Sequence, residues 1–177
     1  MSMSVNARGG ARIKPKDLAR PLDDVLSSWM GRWGDRLVRY AHFLVDDPDA
    51  AQDIAQEAFL RLYVHLGRTG EEPAVAWLFT VAKNLARDAR RRRRSFEPVE
   101  DRVDPNADCG LLAATVRDAL DRLKPEDREC LYLFYYAELS TDAIAAHLKL
   151  PGATVRSRLR RARQHFLAEW QRTDGEG

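Results

Sequence analysis

The residues best equipped for chemistry in this chain are arginines, and they come in two groups. Arg156, Arg158, Arg160, Arg161 and Arg163 fall in one stretch, Thr154 to Gln164, that holds no acid. Arg90, Arg91, Arg92, Arg93 and Arg94 run without interruption. A guanidinium pairs in bidentate fashion with a guanine edge or with phosphate oxygens. Hydroxyls near a helix N-terminus, such as those of Thr154 and Ser157, suit phosphate. The acids gather elsewhere, at 46–57 and 97–108, so charge is segregated although the net charge is only +2. Segregated basic charge is the electrostatic footprint of nucleic-acid binding. A solvated helix face is the plainer alternative for either cluster alone.

Other chemistry is poorly supported. Cys109 and Cys130 make no metal-spaced pair and read as reduced, structural thiols. His42, His65, His147 and His165 show no ligand spacing and suit packing or the surface. No nucleophile and base stand at useful spacing, so we expect no enzyme activity, no metal and no cofactor. No apolar run approaches the roughly 18 residues that span a bilayer. The basic residues before Asp17 are followed by no apolar stretch, so this segment is not a secretory signal. The chain reads as cytoplasmic, with a flexible N-terminal tail over 1–20.

The elements that must position the arginines are helices. Apolar residues from Leu22 to Val45, including Met30, recur at three- and four-residue steps, the stripe of one long helix. Asp47-Pro48 stops it and starts the next, aspartate as N-cap and proline at the first position. That second helix should run to about Leu66, with Ala51, Ile54, Ala58, Phe59, Leu62 and Tyr63 inward. After a polar loop, Pro73 should open a third, with Ala74, Trp77, Leu78, Val81, Ala82, Leu85, Ala86 and Ala89 as its buried stripe and the arginine run as its C-terminal extension. Residues 95–108 hold Pro98, Pro105 and five acids and read as an acidic linker. Beyond it come a helix around Leu112–Leu123, another from Pro125 to Tyr136, and a short one capped by Ser140. A tight turn at 149–152 leads to a last basic helix. The fold class is therefore all-α: two small helical domains, 21–94 and 109–172, joined by the linker. In the second domain a short helix, a tight turn and a basic helix make a helix-turn-helix, with Val155, Leu159, Ala162 and Phe166 inward. A helix lying in the major groove presents its N-terminal residues to base edges.

Read together, the two halves resemble a known family. Residues 49–60, DAAQDIAQEAFL, resemble the core-binding segment of bacterial RNA polymerase sigma factors of the extracytoplasmic-function group. Residues 76–88, AWLFTVAKNLARD, look like that family's minus-ten-reading helix, and Leu120 to Arg163 is similar to its C-terminal domain. The resemblance implies an alternative sigma factor that binds core RNA polymerase, recognises a two-part promoter, helps melt it and directs transcription initiation. It implies polymerase binding by Asp53, Gln56, Glu57 and Leu60. It implies minus-ten contacts from Lys83, Asn84, Arg87, Arg90 and Arg91, with a pocket for an extruded base at Gly67 to Pro73. It implies minus-thirty-five contacts from Thr154, Arg156, Ser157, Arg158, Arg160 and Arg161. The partners are core polymerase and promoter DNA, as duplex and as single strand. An anti-sigma factor is a further candidate partner, which exposed apolar residues such as Val75 and Phe79 could serve. The work would be done at the nucleoid. Two departures stand out: Ala143 replaces the family's usual acid, so Ser140 caps its helix alone, and the N-terminal tail has no counterpart.

Three rivals are distinguishable. A helix-turn-helix regulator acting without polymerase would bind its operator tightly as a dimer. An enzyme with an appended DNA-binding domain would need convergent catalytic groups. A helical adaptor would not need two arginine clusters.

Overall fold

The computed structural model describes residues 21–94, 116 and 119–174. The tail, the acidic linker, Cys109 and the start of the second domain's first helix lie outside the described residues. Every regular element among the described residues is a helix: α1 Leu22–Val45, α2 Pro48–Thr69, α3 Val75–Arg94, α4 Pro125–Tyr135, α5 Thr141–Leu148 and α6 Gly152–Asp174. A short helical stretch over 119–121 precedes α4. The all-α expectation holds.

Local chemistry sets the helix ends. The Asp47 side chain accepts from the Ala50 amide at 3.0 Å, with Pro48 behind it, as the Asp-Pro pair predicts. Ser140 Oγ accepts from the Ala143 amide at 3.1 Å and caps α5. α2 continues to Thr69, beyond the expected Leu66, because Gly70 closes it in the left-handed conformation, its amide bonding the Leu66 carbonyl. α3 begins at Val75 rather than Pro73.

In the first domain α1, α2 and α3 pack around Trp33, Leu37, Tyr40, Ala58, Leu62, Leu66, Leu78 and Phe79, all buried. Trp33 meets Phe79 edge-on with centroids 6.2 Å apart, a favoured aromatic geometry. Three readings need correction. Phe79 is fully buried and serves no partner; Val75 is partly buried. Met30 and Tyr63, expected inward, are 50% and 40% exposed. Ala74 lies outside α3 and is exposed, while Ala76 and Phe79 join the buried face and Ala86 keeps its expected place there. α3 packs against α1 on one side, α2 on another and α5 on a third, so its apolar arc is wider than one stripe.

The second domain closes around Cys130, Leu133, Ile144, Val155, Leu159 and Ala162. The turn between α5 and α6 places Lys149 in the left-handed region at φ 56°. The Lys149 amide bonds the Ala145 carbonyl, as does that of Leu150 at 3.0 Å. The two domains also pack against each other, through α1 and α3 on one side and α4 and α5 on the other. The linker pattern alone does not predict that contact.

Candidate nucleic-acid and partner interfaces

α2 buries one face and presents the other. Ala51, Ile54, Ala55, Ala58, Leu62 and Leu66 go inward. On the opposite face Asp53, Gln56, Glu57 and Leu60 line one shallow depression, the set expected there from sequence. Glu57 takes a charge-assisted bond from Arg61 one turn on, Nε to Oε1 2.8 Å. Leu60, Tyr63 and Val64 are 40–56% exposed, so an apolar strip borders the acids. Acidic groups beside uncovered apolar area give a docking face both orientation and affinity.

α3 carries the first basic track. Asn84, Arg87, Arg90, Arg91, Arg92 and Arg93 are exposed. Arg91 reaches Asp88 at 3.9 Å and Arg93 reaches Asp47 at 3.3 Å. These are solvent-exposed pairs, worth little and easily exchanged for phosphate. Lys83 differs: its ammonium sits on Glu129 of the second domain, 2.7 and 2.8 Å from the two carboxylate oxygens.

Beside the loop that precedes α3, a groove of about 300 Å³ is lined by Ser28, Trp29, Arg32, Trp33, Glu72 and Val75. Trp29 Nε1–H donates to Glu72 Oε2 at 2.8 Å and fixes the loop to α1. Arg32 and Arg36 lie over the Trp33 ring at 5.0 and 5.3 Å. Sequence reasoning placed a pocket at this loop but missed the α1 wall. The i, i+4 pair Trp29–Trp33 reads as core, which it partly is, and nothing local says that Glu72 returns to it.

The helix-turn-helix presents α6. Arg156, Ser157 and Arg160 are exposed and Thr154 is partly so. The Arg156 guanidinium folds over Gly152, where a Cβ would sit 3.4 Å from Nη1. Two expected members turn toward α4. Arg161 makes a two-pronged pair with Asp127, Nη2 to Oδ1 2.8 Å and Nε to Oδ2 3.2 Å. That Asp127 carboxylate is almost wholly buried. Partly buried Arg158 neighbours the Cys130 thiol; burial raises that thiol's pKa, and the Arg158 charge opposes the rise. Sequence reasoning missed Asp127, because a fully buried acid is rare unless paired.

At the domain boundary a polar cluster joins Tyr40, Thr80 and Lys83 to Glu129 and His147. The Tyr40 hydroxyl donates to Glu129 Oε1 at 2.7 Å and lies 2.9 Å from His147 Nε2. Thr80 Oγ1 lies 3.0 Å from His147 Nδ1. Tyr40 has one proton and gives it to Glu129, so His147 Nε2–H donates to the tyrosine oxygen. Burial alone would raise the Glu129 pKa; its neighbours His147, Lys83 and Tyr40 outweigh burial and hold it at about 2. Burial, reinforced by the Glu129 charge, drives the Tyr40 hydroxyl far above its ordinary range and keeps it neutral.

No helix among the described residues is long and apolar enough to cross a membrane, and no cluster of histidine, cysteine, aspartate or glutamate there could hold a metal. Comparison with known proteins bears on the rest. Residues 29–96 match the model of Sigma-70 region 2, and residues 113–166 that of Sigma-70 region 4. The chain is 37% identical over 134 residues to the ECF RNA polymerase sigma factor SigL of Mycobacterium tuberculosis, covering 70% of this chain and 76% of SigL. It is similar to CnrH, solved in complex with the cytosolic domain of CnrY, at 25% identity and TM-score 0.61, over 82% of this chain and 87% of CnrH. It also shares the fold of RpoE from Bartonella quintana, solved with the anti-sigma factor NepR, at 22% identity and TM-score 0.63, over 84% and 98%. With a region 2 domain, a region 4 helix-turn-helix and this degree of identity, the chain belongs to the sigma factors of the extracytoplasmic-function group, which direct transcription initiation by RNA polymerase.

Proposed function

We propose that the chain docks on core RNA polymerase through the outer face of α2, with Asp53, Gln56 and Glu57 orienting the contact and Leu60 adding apolar area. The observation that carries this reading is that these four residues, expected together from sequence, line one open depression on the face opposite the core. Residues 21–94 act as the polymerase and minus-ten domain and 109–172 as the minus-thirty-five domain. Lys83, Asn84, Arg87, Arg90 and Arg91 follow the minus-ten strand. Thr154, Arg156, Ser157, Arg158, Arg160 and Arg161 serve the upstream duplex, with Arg161 held in place by Asp127.

Strand opening needs an energy source, and the chain carries no nucleotide chemistry. The source is tighter binding of the single strand than of the duplex. The groove between Trp29, Trp33 and Glu72 is the proposed seat for an extruded base, and the α3 arginines the track for its backbone. The chain itself catalyses nothing and acts on DNA at the nucleoid. The family resemblance adds an anti-sigma factor to the expected partners.

The test combines two readouts. Gln56→Ala with Glu57→Ala should weaken binding to purified core polymerase about tenfold or more, while upstream duplex binding by the same variant stays intact. Permanganate reactivity of minus-ten thymines, seen with polymerase plus wild-type chain, should fade in parallel. Unchanged polymerase affinity would move the docking face elsewhere.

A further inference from the structure

We infer that Arg161 and Arg163 are a pair of phosphate clamps, one on each flank of α6, and that α4 positions both through Asp127 and the rings of Phe134 and Tyr135. The clamps take the two phosphate walls of the major groove that α6 enters. The inference rests on the proposed upstream-duplex role of α6. It adds Arg163 to that interface and separates the arginines that grip from those that read.

Helix geometry sets the flanks. Residues two apart on an α-helix point about 200° apart. Val155, Leu159 and Ala162 are buried, so Arg161 and Arg163 leave α6 on opposite sides of that inner stripe. Ser157 and Arg160 fall between them on the outer side, and both are exposed. α4 packs against the inner side of α6 and reaches an arginine on each flank.

The two holds differ in chemistry. Asp127 accepts from Arg161 Nη2 at 2.8 Å and from Nε at 3.2 Å. The acid side chain is 2% exposed and the arginine 50%, so the acid is committed to the arginine while the arginine is half free. Those bonds engage Nε and Nη2 and leave Nη1 to bond outward. On the other flank the Arg163 guanidinium lies 5.3 Å from the Phe134 ring centre and 5.5 Å from that of Tyr135. Ring faces restrain it without using its N–H groups.

The spacing fits a groove. Phe134 follows Asp127 by seven residues on α4, two turns along one face, or roughly 10 Å. A major groove is roughly 12 Å wide. Guanidiniums anchored at that separation meet phosphates of both strands, while Arg156, Ser157 and Arg160 face the base edges between them. Phosphate contacts of this kind set register and orientation. An arginine already held in place has less freedom to lose on binding, so α4 contributes preorganisation.

The test reads salt dependence, with the full chain titrated into a dye-labelled duplex of random sequence. Arg163→Gln should lower the slope of log affinity against log salt by about 0.9, one phosphate contact, which at 0.1 M salt is roughly an eightfold loss. Asp127→Asn combined with Arg161→Gln should do the same, and the pair leaves no buried charge behind. Asp127→Asn alone separates positioning from charge. It removes an acid, so electrostatics alone would tighten binding, whereas a released Arg161 should weaken it about threefold. Circular dichroism checks that each variant is folded, and exposed Arg163 keeps the test decisive if Asp127→Asn is not. Unchanged slopes, or tighter binding by folded Asp127→Asn, would overturn the clamps. A second arm uses core polymerase with the chain on single-base variants of a promoter fragment that the two together select. Arg163→Gln should lose affinity evenly across them; a loss confined to one base pair would make it a reader and overturn the clamp. If no fragment is selected at all, the proposed function fails, while the random-duplex slopes still decide the clamps.

Discussion

Arg156 is the residue whose role the structure leaves most open to chemistry: exposed, in the first turns of α6, and bonded to no acid among the described residues. Arg156→Ala should cost about 1–3 kcal/mol at one or two upstream base pairs if the guanidinium reads a base. Binding measured across a panel of single-base promoter variants checks this; a uniform loss would make it a phosphate contact. Helical spacing made Arg156, Ser157 and Arg160 legible as an outward face. It could not separate them from Arg158 and Arg161, which share that arc but turn toward α4. The difference is made by Asp127 and Cys130, more than 25 residues earlier, and periodicity carries no information about a partner on another helix. His147 and Glu129 were hidden for a related reason. Polar residues are expected outside, and these two are enclosed only because the other domain covers them.

Helices themselves were more readable than the faces they bury. Asp47-Pro48 and Ser140 marked their helix starts because capping is local chemistry, decided within four residues. The buried arc of α3 was less legible. Ala74, Ala76, Trp77, Leu78, Phe79, Val81 and Ala82 are all apolar, so the sequence allows several stripes, and packing against three other helices selects the wide one with Phe79 at its centre. Two substitutions test the element-level account. A Cβ on Gly31 meets nothing within 4 Å, so Gly31→Ala should add about 1 kcal/mol of stability through helix propensity alone. Lys149 closes α5 in the left-handed region, a conformation that costs an L-residue roughly 1–2 kcal/mol, so Lys149→Gly should also stabilise, by up to about 1 kcal/mol after the added freedom of the unfolded chain is counted. Urea midpoints check both; a loss of stability at either would mean that the native lysine or glycine makes a contact not described above.

At the scale of the whole molecule, the two-domain plan and its basic faces were legible from composition, whereas domain closure was not. Among the described residues the closing contacts are single side chains scattered over four helices and one loop, with no common spacing. Closure also leaves a pH signature. The Glu129 pKa falls from an ordinary 4.5 to about 2 in the folded chain. A lowered acid contributes stability that is complete above about 4.5 and is lost as pH falls through about 2, on the order of 3 kcal/mol in all. The stability gap between wild type and Glu129→Gln should therefore narrow steadily from about pH 5 to about pH 3, as read from paired urea titrations; a constant gap would remove the carboxylate from the account. The most direct test of the whole is run-off transcription from a mixed set of promoter fragments, with purified core polymerase and with or without this chain. The account predicts chain-dependent transcripts from a few templates that share an upstream duplex element and a melted downstream one. Polymerase that binds the chain yet starts no template selectively would contradict it.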